Sequence, residues 1–146
     1  MTTERRAAVT WKGSLTEGSG AVTLASGAAP ELPVTWASRT ESSDGKTSPE
    51  ELIAGAHAAC FSMALSNALT KAGNPPESLD VTATCTLDRT DQGPTITSVT
   101  LEVTGRVPGA DQDAFQEAAN GAKEGCPVSR ALTGNVDISV TAKLEG

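Results

Sequence analysis

This 146-residue sequence is short of basic residues, has one histidine and has no closely spaced cysteine pair. Eleven Lys and Arg stand against eighteen Asp and Glu, giving a net charge of -7 and a sequence pI near 4.6. Such a chain is a poor electrostatic match to nucleic acid or to an anionic membrane, and small uncharged substrates or protein partners fit it better. A single histidine, His57, and three cysteines at 60, 85 and 126 with no CxxC spacing do not make a zinc framework. No run of roughly 18 unbroken apolar residues marks a spanning helix, and the N-terminal "MTTERRAAVTWKGSLTEG" has no apolar stretch of secretory length. The expectation is a soluble, cytoplasmic protein with no membrane association. In a reducing cytosol a disulfide forms transiently and for a purpose. There is no internal repeat, low-complexity tract or interdomain linker, and the length suits a single domain, 1–146, with its own core.

What is present reads as α+β. "AAVTWKG", "GAVTLAS" and "LPVTWAS" have strand character and are separated by Gly, Ser and Pro, which predicts an antiparallel meander. "TESSDGKTS", residues 40–48, is polar and turn-rich, so it is expected to be a mobile loop leading into a helix. Farther on, "LDVTATCTLD" alternates Val81, Ala83, Cys85 and Leu87 with Thr82, Thr84, Thr86 and Asp88. Val99, Leu101 and Val103 repeat that period, as do Val136, Ile138, Val140 and Ala142. Between them "ADQDAFQEAANGAKEG" places Ala114, Phe115, Ala118, Ala119 and Ala122 at helical spacing behind an Asp111 cap, and "CPVSRAL" starts a short helix. The predicted order is β-β-β-α-β-β-α-α-β.

The central helix is "SPEELIAGAHAACFSMALSNALTKAG", Ser48 to Gly73. Ser48 as cap, Pro49 at the first helical position and Glu51 completing a capping box encode its start, and Gly73 followed by "NPP" encodes its end. At 1.5 Å per residue, residues 49–72 span about 36 Å. The surface is apolar on several sides, with Ala56, Ala59 and Met63 on one and Leu52, Ala58 and Leu65 elsewhere, more than one small domain covers easily. A second copy of the chain is the natural cover, which predicts a homodimer.

Cys60 near the middle of this helix is open to two readings, a small core hydrophobe or a reactive thiol. Cys85 reads as core, because strand alternation turns it inward. Cys126 precedes Pro127, so its sulfur sits at a helix start, where amide dipoles favour the thiolate. His57, three residues before Cys60, is either a structurally satisfied histidine, a base for the thiol or part of a pocket lining. Trp11, Trp36, Phe61 and Phe115 are expected in the core, with Phe61 also placed to wall an apolar pocket.

The string "SPEELIAGAHAACFSMAL", the later "GCPVS" and the order of elements over nearly the whole chain resemble the OsmC/Ohr family of organic hydroperoxide reductases, and "HAACFSMAL" is most similar to the OsmC branch. The resemblance implies an OsmC-like intertwined α+β homodimer with long helices at its centre and active sites at the subunit interface. It implies that Cys60 in "AACF" is the peroxidatic thiol and Cys126 in "GCPVS" the resolving one. A family arginine and glutamate map onto Arg39 in "WASRTE" and Glu50 in "SPEEL", with Arg5 and Arg6 as rivals for the arginine. The implied activity is a stress-related, antioxidant peroxidase cycling through a Cys60–Cys126 disulfide, with an organic hydroperoxide as substrate and a dithiol, of the lipoylated-protein type, as reductant.

In that chemistry the guanidinium stabilises the thiolate and the developing oxyanion, and the glutamate orients the guanidinium. Cofactors are not needed: no metal, flavin or haem is expected. The alternative is a non-enzymatic stress-related dimer that holds a lipophilic small molecule at its interface. Glu50 and Cys60 are ten residues apart, about 15 Å of rise on one unbroken helix. Either the helix breaks at Gly55 or the glutamate serves the partner subunit's site.

Overall fold

The computed structural model, which describes residues 1–145, is α+β. It runs β1 (Ala7–Lys12), β2 (Ser19–Leu24), β3 (Leu32–Val34), α1 (Trp36–Thr40), α2 (Pro49–Lys71), β4 (Ser78–Thr90), β5 (Gly93–Arg106), α3 (Gln112–Gly125), α4 (Pro127–Leu132) and β6 (Asp137–Leu144). The chain divides into two compact units, Met1–Leu52 and the residues from Ile53 onward.

In the first unit, β1, β2 and β3 form the expected antiparallel meander, with Val9 opposite Val22 and Gly20 opposite Val34. The third strand is shorter than "LPVTWAS" suggests, because the chain turns into α1 after Val34. Thr35 and Ser38 form a reciprocal cap: Thr35 Oγ1 accepts from the Ser38 amide at 3.0 Å and Ser38 Oγ accepts from the Thr35 amide at 2.9 Å. Here the local cap overrides the strand propensity of Thr and Trp. Ser38 Oγ also donates to the Thr47 carbonyl at 2.8 Å, and the Thr47 amide donates to the Pro33 carbonyl at 2.9 Å. Residues 40–48 are thus closed into a loop pinned at its base, with Asp44 and Gly45 in the left-handed region at its tip (φ 47° and 78°).

The start of α2 is capped by half of the expected box. Ser48 Oγ accepts from the Glu51 amide at 3.1 Å, but the Glu51 carboxylate accepts from Thr47 Oγ1 at 2.7 Å. The far end closes as expected, with Gly73 at φ 91° and the Asn74 amide donating to the Leu69 carbonyl at 2.9 Å. Gly55 does not interrupt the helix, which is continuous from Pro49 to Lys71.

In the second unit, β4 and β5 form a long antiparallel hairpin, and β6 runs parallel to β5 with Val99 opposite Ile138 and Leu101 opposite Val140. Strand alternation is as the sequence predicts. Val99, Leu101 and Val103 pack with Phe61, Leu65 and Leu69 from α2 and with Phe115, Ala119 and Ala122 from α3. Fully burying a Leu or Phe side chain contributes about 1.5–3 kcal/mol, so this cluster is the unit's main source of stability. A side chain at Gly105 would collide with the Phe115 ring, which fixes how closely α3 approaches β5. The outer edge of β6 is covered by α3: Gln112 Nε2 donates to the Ala142 carbonyl at 2.9 Å, and Gln112 and Gln116 accept from the Leu144 and Ala142 amides.

His57, Phe61, Leu65 and Leu69 recur every four residues and form the buried stripe of α2. The other side is left open, with Ala56, Ala59 and Asn67 exposed and Met63 at 71% exposure. α2 is the one helix among the described residues that is long and apolar enough to cross a membrane by length and composition, with a mean hydropathy of 1.4 over its best window. The sequence shows no unbroken apolar run there, because single Ser, His and Asn residues interrupt it while the average stays apolar.

Candidate active site

Two groups of side chains carry chemistry, one in each unit. In the first, α1 presents Arg39 in its last turn and α2 presents Glu50 in its first. The pins from Ser38 and Thr47 bring the two helix ends together. Arg39 Nε donates to Glu50 Oε1 and Oε2 at 3.1 and 3.2 Å, and Nη2 donates to Oε2 at 2.9 Å. This is a fork-on-carboxylate pair, with Glu50 buried and the guanidinium 5.9 Å from the Trp36 ring centroid. The guanidinium lies at the wall of a cavity of about 630 Å³ otherwise lined mainly by apolar groups, among them Val9, Trp11, Val22, Trp36 and Leu52. Arg6, by contrast, pairs locally with Glu4, and Arg5 bonds the Glu4 carbonyl, both on the exposed surface. Phe61 does not wall this cavity; it is fully buried in the core of the second unit.

In the second unit, Cys60 on α2 and Cys126 at the cap of α4 are 66 residues apart in sequence, yet the fold brings them close enough for each thiol to act on the other's ionisation. Both are reduced, Cys60 partly buried and Cys126 fully so. Burial pushes the Cys60 thiol up, the Cys126 hydrogen bond pushes it further, and the Val128 amide and the Arg130 charge pull it back only in part. For Cys126 burial also acts upward, but donor groups beside the sulfur, Cys60 first and then the Ser129 amide and hydroxyl and the Val128 amide, outweigh it and bring the thiol below its ordinary value. The two thiols titrate as a pair, and the start of α4 is the feature that favours the anion there.

Ser129 and Arg130, both in "CPVSR", and the partner of His57 were not singled out from sequence. His57 Nε2 lies 2.7 Å from Ser129 Oγ, and both residues are buried. Burial lowers the His57 pKa, so its ring is neutral. Arg130 follows Cys126 by one helical turn, a spacing that could have flagged it. Cys85 sits on the inward face of β4 against the core. No cluster of His, Cys, Asp and Glu that could hold a metal occurs among the described residues.

Residues 42–141 match the family model described as OsmC-like protein. The chain belongs to this family. It is 41% identical over 143 residues to the protein named Peroxiredoxin OsmC of Escherichia coli (strain K12), covering 98% of this chain and 99% of that one. It is also 34% identical over 105 residues to the Organic hydroperoxide resistance protein OhrA of Bacillus subtilis, covering 70% and 71% of the two chains. Among solved structures, the organic hydroperoxide resistance protein OhrB of Bacillus subtilis superposes with a TM-score of 0.74 at 28% identity, over 96% of this chain and 98% of the other. The α+β architecture described above is thus an OsmC/Ohr fold.

Proposed function

We infer that this OsmC-like protein is a cysteine-based peroxidase that reduces organic hydroperoxides to alcohols. The observation that carries the reading is that Cys60 and Cys126, 66 residues apart in sequence, are both reduced and near enough to titrate together. Cys60 is the peroxidatic sulfur, because it is the accessible one; Cys126 is sealed in the core. The first proton lost belongs to the pair, with Cys126 at the helix start able to hold the charge. Transfer of the Cys60 proton to Cys126 places the thiolate on Cys60 as it attacks. An S–O bond forms, the O–O bond breaks, and the alkoxide takes up a proton and leaves as the alcohol. Cys126 then displaces the hydroxyl of the Cys60 sulfenic acid, giving the disulfide and water before further oxidation. An external dithiol, for which a lipoylated protein is the expected type, reduces the pair by exchange.

The Arg39–Glu50 pair belongs to the same chemistry in this proposal, with the guanidinium binding the peroxide oxygens and the apolar cavity beside it taking the organic tail. The unbroken run of α2 through Gly55 supports the partner-subunit account of Glu50 over the broken-helix one. Each active site then combines the thiols of one chain with Arg39 and Glu50 of the other. The open, apolar side of α2, with Met63 at its centre, supports the homodimer that this requires. The working unit is one OsmC-like domain, residues 1–146, acting in the cytoplasm.

A steady-state assay with dihydrolipoamide tests the reading. Cumene hydroperoxide should turn over faster than hydrogen peroxide, and Cys60→Ser should not turn over at all; wild-type activity in that variant would overturn it. The cavity also favours a second reading, a binding protein for a lipophilic molecule without turnover. That reading predicts a wild-type protein that binds an apolar probe and consumes no hydroperoxide.

A further inference from the structure

His57 is the only histidine in the chain, and the peroxidase chemistry does not use it. It lies on the buried stripe of α2 with its Nε2 at 2.7 Å from Ser129 Oγ. Its Nδ1 is buried and has no hydrogen-bond partner among the described residues. Ser129 lies in the first turn of α4, three residues after its Cys126 cap, and its hydroxyl is one of the donors that favour the Cys126 thiolate. We propose that His57 is a positioning residue for the resolving thiol: it donates its Nε2–H to Ser129 Oγ and so turns the Ser129 hydroxyl proton onto Cys126 Sγ. The proposal rests on the assignment of Cys126 as resolver.

The direction of the chain follows from the orphaned nitrogen. The serine hydroxyl has one proton to give, so only two arrangements of a neutral ring are available. If His57 carries its proton on Nε2, it donates to Ser129, Ser129 donates to Cys126, and the orphan is a lone pair on Nδ1. If the proton is on Nδ1, Ser129 must donate to Nε2, Cys126 loses its hydroxyl donor, and the orphan is a buried N–H. Orphaned buried N–H groups are the rarer and costlier defect, so the first arrangement wins. An imidazolium would leave the same N–H unpartnered and add a charge to the core; burial disfavours it. The other groups acting on Cys126 are Cys60 from α2 and the Val128 and Ser129 amides of α4, whereas the charge of Arg130 acts on Cys60.

In the resolving step the Cys126 thiolate attacks the Cys60 sulfenic sulfur. The S–S bond forms, the S–O bond breaks, Cys126 is oxidised as the Cys60 sulfur is reduced, and the departing hydroxide takes up a proton to leave as water. A donor held on Cys126 keeps the attacking thiolate populated. Loss of a hydrogen bond to a charged sulfur lowers that population about tenfold. The more basic thiolate is a better nucleophile by about threefold, given a Brønsted slope near 0.5, so the net rate falls about threefold.

Two measurements test this. Nitrogen NMR of the single histidine in the reduced protein near neutral pH should show the neutral Nε2–H tautomer; an Nδ1–H tautomer or an imidazolium overturns the proposal. In a Cys60→Ala/Cys85→Ala background, ultraviolet titration of the Cys126 thiolate should move to higher pH in Ser129→Ala and in His57→Leu. It should stay near the parent in His57→Gln, whose amide can donate in place of Nε2–H. In otherwise wild-type protein, the first two variants should slow decay of the Cys60 sulfenic acid about threefold. Should His57→Leu not fold, Ser129→Ala and the tautomer decide. Unchanged titration in Ser129→Ala, or a His57→Gln profile displaced as far as that of His57→Leu, overturns the arrangement. A wild-type protein that forms no sulfenic acid would overturn the peroxidase reading instead, and the tautomer and titration, which need no peroxide, separate the two failures.

Discussion

Replacing Arg39 by Met keeps most of the side-chain volume and removes the fork, leaving the Glu50 carboxylate buried opposite an apolar group. Removing one partner from a fully buried pair costs about 3–5 kcal/mol. Two features reduce that here: the Arg39 side chain is 31% exposed against 8% for Glu50, so water already reaches the site, and Glu50 lies in the first turn of α2, where the helix dipole contributes about 0.3–1 kcal/mol to a carboxylate. The expected loss is therefore about 2–3 kcal/mol for Arg39→Met and, because an amide still accepts one bond, about 1–2 kcal/mol for Glu50→Gln. Removing both abolishes the uncompensated charge, so the double variant should lose only about 2–3 kcal/mol, a coupling of about 1–2 kcal/mol. Urea unfolding of the four proteins at one fixed protein concentration measures it, since a dimer's stability depends on concentration. Additivity within about 0.5 kcal/mol would show that the two groups do not share their energy and would refute the reasoning.

Cys126→Ser should react once with hydroperoxide and then stall, with Cys60 advancing to sulfinic and sulfonic acid visible by mass spectrometry; normal cycling with a dithiol would remove Cys126 from the resolving role. The pH dependence of stability has a sign set by His57. Its folded pKa lies below the unfolded value of 6.5, so between the two the unfolded chain binds more protons, and stability falls as pH drops through that window. Thermal unfolding at successive pH values should show this slope in the wild type and a shallower one in His57→Gln; equal slopes would contradict it. Gly105→Ala should destabilise the protein by about 1–3 kcal/mol, because the new methyl meets the Phe115 ring; a neutral result in urea unfolding would mean that α3 can shift away at no cost.

Elements whose physics is local were legible in the sequence. The alternation of Val81, Ala83, Cys85 and Leu87 reappears as the inward face of β4, and Gly73 ends α2 as its conformational freedom suggests. Asp111 caps α3, accepting from the Ala114 amide at 2.8 Å. The helix α1 was hidden because Thr35 and Trp36 favour strands by propensity; the deciding cap lies in a Thr–Ser pair three residues apart. Glu51 turned to Thr47 for a similar reason, since a nearer hydroxyl competed with the Ser48 amide. The cysteines were visible, and so was the anion-favouring position of Cys126. The coupling of the two thiols was not, because it depends on the approach of Cys60, 66 residues away in sequence. The Ser129–His57 contact spans 72 residues, and no spacing rule reaches that far.

The central claim is that Cys60 and Cys126 form one redox pair, and it is tested most directly by one equivalent of cumene hydroperoxide added to the fully reduced protein. Thiol counting and peptide mapping should then show two of the three thiols lost, one water-stable disulfide joining Cys60 to Cys126, and Cys85 still reduced. Three intact thiols, or a disulfide that includes Cys85, would contradict it.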